Sequence, residues 1–167
     1  MPTFRTGSDV ESLFREISGA LFNYAVKMTG DGFLADDMVS TVFANILRTL
    51  PVDIETPRKF LFRSVRNAIV DWIRKRSSEE NDEVLDEEYP AKDDTEVRDL
   101  QEAVKALPKL QSEVVFLVYW GEHTHEEVAA ELKLPQREVT LTYASAICTL
   151  RKQLTDLPEE LHAEQRS

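Results

Sequence analysis

Seven cations and a single acid fall within residues 58–76, in a chain whose formal net charge is −11. Arg58, Lys59, Arg63, Arg66, Arg74, Lys75 and Arg76 carry groups that neutralise phosphates, and the counterions released by such contacts favour binding. Asn67 stands among them as an uncharged amide. The apolar residues Leu61, Val65, Ala68, Ile69, Trp72 and Ile73 recur at helical steps, which predicts a helix with one buried stripe. Most of the cations lie off that stripe. A polyanionic partner fits this surface, as does a solvated basic face whose aliphatic stems cover a core.

Other reactive side chains suggest less chemistry. His123 and His125 sit beside glutamates, but their spacing differs from that of a helical zinc site, and they read as ordinary exposed turn histidines. Cys148, the single cysteine, cannot form an internal disulfide and reads as a small buried hydrophobe. The many carboxylates cluster in a polar run that offers no fixed pocket for acid–base work. The sequence holds neither a glycine-rich phosphate loop nor a serine-centred nucleophile motif. No catalytic residue, metal or cofactor is expected, and the chain does not read as an enzyme.

The elements that must position the cations follow from periodicity and charge. Residues 79–99 hold eleven acids and two cations with few apolar residues, so they cannot bury enough surface to offset ordering. This run predicts an acidic, flexible linker over residues 78–98 between helical domains at residues 8–77 and 99–158. In the first domain Ser8 and Glu11 suggest a capping box, followed by Val10, Phe14, Ile17, Leu21, Tyr24 and Met28 at helical spacing. A glycine-rich turn at residues 29–32 ends that helix. A second is expected over residues 34–50, with Leu47 and Leu50 on its apolar face, and Pro51 and Pro57 bound a loop before the cationic helix.

The second domain is expected to open with a short amphipathic helix from Asp99 and a three-turn apolar helix ending at Gly121. Thr124 and Glu127 predict a capping box for the next helix, and Val139, Tyr143, Ala146, Ile147, Leu150 and Leu154 line one stripe of the last. Two short helices joined by a tight turn, with Ala129 or Ala130 facing the second, make a helix-turn-helix. The architecture is therefore expected to be all-α. No stretch approaches the length of a membrane-spanning helix and the N-terminus lacks a secretion pattern, so a soluble cytoplasmic protein without membrane insertion is expected.

Three blocks in this order resemble the extracytoplasmic-function sigma factors of bacterial RNA polymerase. Residues 35–43 (ADDMVSTVF) are similar to the family's polymerase-binding helix, and residues 66–76 (RNAIVDWIRKR) to its promoter-melting helix. Residues 107–135 (LPKLQSEVVFLVYWGEHTHEEVAAELKLP) are similar to its fourth conserved region. The resemblance implies a region 2-like domain and a region 4-like helix-turn-helix domain that direct core RNA polymerase to promoter DNA. An anti-sigma factor is the implied regulatory partner. By the same resemblance, Thr56, Arg58, Lys59, Arg63 and Asn67 engage the melted minus-ten strand, while Arg74, Lys75 and Arg76 contact phosphates. Asp37, Ser40, Thr41 and Asn45 would face the polymerase clamp, and Gln136, Arg137, Thr140, Leu141 and Ala144 would enter the upstream promoter element.

Two departures from the family pattern bear on affinity. Ser40 and Thr41 stand where the family usually has Gln and an acid. The last helix has no cation between Arg137 and Arg151, which predicts a shallow salt dependence for upstream binding. A sigma-like module that binds an anti-sigma factor or polymerase, with little DNA reading of its own, is the alternative function.

Overall fold

The computed structural model describes residues 4–77 and 95–154, and residues 78–94 of the expected linker and 155–158 of the expected second domain lie outside them. The chain divides into two compact units, each a helical bundle.

In the first unit, α1 (Gly7–Thr29), α2 (Gly32–Arg48) and α3 (Pro57–Ser77) pack around one core. The start of α1 differs from the sequence reading. Thr6 takes the cap position, and the Asp9 carboxylate accepts the backbone N–H groups of Arg5 (2.8 Å) and Thr6 (3.2 Å). Those two donors, Arg5 first, hold the Asp9 carboxyl below its ordinary range because they favour the charged form. Glu11 instead pairs with Arg15 one turn on, at 2.6 Å on the exposed face. Gly30 closes α1 in the left-handed region (φ 72°), a conformation that glycine adopts without a Cβ clash. Asp31 then caps α2 by accepting from Phe33 N–H (3.0 Å) and Leu34 N–H (3.1 Å), so α2 begins two residues earlier than periodicity suggested.

Ile17, Leu21 and Tyr24 of α1, Met38, Phe43 and Ile46 of α2, and Leu61, Phe62, Val65 and Ile69 of α3 are buried together. Because α3 packs against both other helices, its buried face is broader than the expected stripe and turns toward Phe62. Burial on α3 ends at Ile69, leaving Trp72 half-exposed and Ile73 41% exposed. Leu47 on α2 is likewise exposed (48%), contrary to its expected place in the core. Phe4 pairs with Val52 through two antiparallel backbone hydrogen bonds (3.0 and 2.9 Å), which anchors the loop between α2 and α3.

The second unit contains α4 (Thr95–Lys105), α5 (Lys109–Val115), α6 (His125–Leu132) and α7 (Gln136–Gln153). Helix α4 begins four residues before the expected domain start, so its first turn takes up the end of the expected linker. Beyond α5 the backbone widens into a π turn over Phe116–Trp120, closed by Gly121 N–H donating to Phe116 C=O at 3.0 Å. The left-handed residue of the following turn is Glu122 (φ 54°) rather than Gly121. The expected Thr124–Glu127 capping box is present in both directions, each bond 3.1 Å. Val114, Phe116, Leu117, Val128, Ala129, Val139, Tyr143, Ile147 and Leu150 form the core. Of the two candidate alanines, Ala129 packs inward and Ala130 is exposed.

Candidate nucleic-acid interface

The loop that precedes α3 and the first turns of α3 frame a groove. Asn45 and Ile46 of α2, Thr56 of the loop, and Phe60, Arg63 and Ser64 of α3 line a cavity of about 580 Å³. That volume lies in the range of roughly 300–1,000 Å³ typical of small-molecule clefts. Thr56 C=O accepts from Phe60 N–H at 2.9 Å, which fixes the loop onto the helix start. Arg63 and Asn67 are exposed and sit one helical turn apart, so they share a face. Phe60, 42% exposed, contributes an aromatic surface to the groove. In the sequence it is marked only as an aromatic off the apolar stripe at the start of a cationic helix.

Arg58 and Lys59 stand differently. Both are half-buried, and the Arg58 guanidinium forms an ion pair with Glu16 of α1, tying α3 to α1. At the far end of α3, Arg74 and Lys75 are exposed and Lys75 pairs with Asp71 at 3.2 Å. The Arg76 guanidinium lies over the Trp72 ring, 5.0 Å from its centroid. Arg63 and Lys75 are twelve residues apart, or roughly 18 Å along a helix, so the expected DNA set forms two separate patches.

The four residues expected to face polymerase are all exposed on α2 but do not form a narrow face. Asp37, Thr41 and Asn45 follow one another at steps of four, and Asn45 accepts a hydrogen bond from Arg48. Ser40 instead borders a second groove of about 310 Å³ with Gly7, Val10, Phe14, Phe43 and Leu47. Ser40 and Asn45 differ by five positions, which places them about 140° apart around the helix.

On α7, Gln136, Arg137, Leu141 and Ala144 are exposed, with Leu141 at 57%. Arg137, Leu141 and Ala144 fall on one face by spacing. Thr140 is half-buried and its hydroxyl oxygen lies 3.0 Å from Nδ1 of His125. The histidines are therefore not the exposed turn residues their context suggested. His123 has its Nδ1 2.9 Å from Gly121 C=O and its Nε2 3.1 Å from the Glu131 carboxylate, and both histidines are buried. Glu131 and Thr140 lie eight and fifteen residues from the histidines that meet them, beyond the reach of local motif reading. Cys148 is exposed, not buried, because it falls on the outer side of α7.

Residues 13–79 match the family model described as Sigma-70 region 2, and residues 98–144 match that described as Sigma-70, region 4. The chain is 29% identical over 153 residues to an RNA polymerase sigma-E factor of Streptomyces coelicolor, across 87% of this chain and 86% of that protein. Among solved structures it is similar to the sigma factor RpoE in complex with the anti-sigma factor NepR from Bartonella quintana. That likeness has a TM-score of 0.51 at 18% identity and covers 86% of this chain and 95% of the other, which supports a shared fold.

Proposed function

Because the chain belongs to the extracytoplasmic-function sigma factors of bacterial RNA polymerase, we propose a division of labour among its surfaces during promoter recognition. Sigma factors are transcription initiation factors, so the task is binding and strand reading, with bond-making left to polymerase. The groove bounded by Thr56, Phe60, Arg63 and Asn45 is the observation that carries the reading. A splayed base from the melted minus-ten strand would stack on Phe60 and meet polar groups at Thr56 and Arg63. Asn67, exposed one turn beyond, supplies a further amide for base reading. Arg58, through Glu16, serves to position α3, while Arg74, Lys75 and Arg76 take phosphates.

Core polymerase docks on α2 through Asp37, Ser40, Thr41 and Asn45. Ser40 and Thr41 supply neither a long amide nor a charge. Replacing Ser40→Gln and Thr41→Asp together is expected to tighten core binding by about 1.5–3 kcal/mol, the worth of one charged hydrogen bond. Titration of labelled core polymerase measures this, and unchanged affinity removes this face from the contact.

Helix α7 reads the upstream element through Gln136, Arg137, Thr140, Leu141 and Ala144. Run-off transcription on genomic fragments, with core polymerase alone and with the protein added, tests the whole reading. Arg137 is the one cation at the start of α7, and Arg137→Ala is expected to lower promoter activity about tenfold, as for a lost base contact. Full transcription by this variant, with altered binding to a co-purifying anti-sigma protein, would assign α7 to protein contact instead. The setting is cytoplasmic, with an anti-sigma factor as regulatory partner. Among the described residues no helix is long and apolar enough to cross a membrane.

A further inference from the structure

We propose that His125 is a positioning residue that determines what Thr140 presents to DNA, making this point of α7 a contact for the 5-methyl group of thymine. The inference rests on the reading of α7 as the helix that enters the upstream element. His125 opens α6, is 5% exposed, and has Nδ1 3.0 Å from the Thr140 hydroxyl oxygen. Its ring also lies 5.3 Å from that of Tyr143, the next inward residue of α7, so it is held from two sides. A free threonine hydroxyl rotates and serves as donor or acceptor, so it pairs with several base edges and discriminates poorly.

The contact to His125 limits that freedom by fixing the direction in which the oxygen points. Whichever of the two atoms carries the hydrogen, the Thr140 oxygen is committed toward α6. The γ-methyl is then the substituent left for a ligand approaching α7. Leu141 and Ala144 are exposed beside it, so an apolar strip begins where the hydroxyl is withdrawn. In the major groove the thymine methyl is the one base-edge group that an apolar strip matches. His125 touches no DNA in this scheme; it acts through Thr140.

The test uses the full chain bound to core polymerase and a promoter whose upstream thymines are replaced singly by deoxyuridine. Removal of the methyl facing Thr140 is expected to weaken binding about fourfold, the value of one buried methyl-sized group. Thr140→Val, which exchanges the hydroxyl for a methyl, should keep the deoxyuridine effect. Thr140→Ser, which keeps the hydroxyl and loses the methyl, should abolish that effect. His125→Phe retains a ring beside Tyr143 but frees the hydroxyl, and discrimination against deoxyuridine should fall. His125→Asn, whose amide reaches the place of Nδ1, should restore it, which a purely structural role for the ring does not predict. Thermal melting of each variant reports whether the unit stays folded, and the deoxyuridine series on the native protein stands without any variant. If Thr140→Val loses about tenfold in affinity while dependence on the upstream element persists, the hydroxyl reads DNA and the inference is overturned, with the reading of α7 intact. If native binding ignores the upstream element altogether, both fall.

Discussion

Replacing Arg74, Lys75 and Arg76 together by glutamine is expected to lower promoter affinity about a hundredfold near physiological salt. Each phosphate neutralised contributes close to 0.9 to the slope of log affinity against log salt, so three lost contacts flatten it by roughly 2.7. Glutamine keeps much of the aliphatic stem, so loss of charge is the main change, together with loss of the Arg76 guanidinium contact over Trp72. The local interactions of these cations do not compete seriously with DNA. The exposed Lys75–Asp71 pair, one turn apart, is worth only about 0.3–0.5 kcal/mol. The Arg76–Trp72 contact leaves the charge near the surface, where such interactions contribute about 0.5–1 kcal/mol. Sequence preference should be unchanged, because phosphate contacts position a protein without reading bases. Binding of the polymerase complex to promoter fragments across a salt series measures both quantities. An unaltered slope would exclude this end of α3 from the interface.

Truncating Phe62 to alanine should lower the melting temperature of the first unit strongly while leaving that of the second unchanged. Phe62 is fully buried and its ring lies 5.6 Å from that of Tyr24, itself fully buried, where α3 meets α1. Phe→Ala changes at such sites cost about 3–5 kcal/mol, against total stabilities of about 5–15 kcal/mol. The groove at the start of α3 and the face of α2 rest on the same core, so transcription should fail together with the unit as temperature rises, well below the native melting point. Phe62→Leu, which refills most of the volume, should cost less than about 1.5 kcal/mol and keep activity. Circular dichroism through a thermal ramp separates the outcomes. A native melting profile for the alanine variant would mean that the core closes without this ring.

Phe62 also shows where the sequence was hard to read. A stripe drawn through Leu61, Val65, Ala68 and Trp72 describes a helix with one neighbour, whereas α3 has two and buries a wider arc. Local chemistry was more legible. The Thr124–Glu127 box needs only a three-residue spacing, and the inward stripe of α7 is buried from Val139 through Tyr143, Ala146, Ile147 and Leu150, while Leu154 falls past the helix end in extended backbone and is half-buried. The order of the sigma-like blocks was legible too, because it depends on whole segments rather than single contacts. What escaped depends on distant partners: Phe4 anchors its loop through Val52, and His125 meets Thr140 across the turn between α6 and α7. The cap of α1 was misplaced for a different reason. Ser8–Glu11 and Thr6–Asp9 both satisfy the pattern, and only the path of the chain from Phe4 selects the second.

The two tryptophans of the chain fall one to each unit, in unlike surroundings. Trp72 is half-exposed beneath Arg76 near the cationic end of α3, and Trp120 is buried in the core of the second unit. The molecule thus carries two intrinsic fluorophores that a soluble quencher reaches unequally. Iodide should extinguish the emission of Trp72 first, attracted by the neighbouring cations, while Trp120 stays bright until its unit unfolds. DNA seated on the end of α3 would shield the first and leave the second unchanged, so occupancy of one unit and unfolding of the other can be followed in one cuvette without attaching a dye.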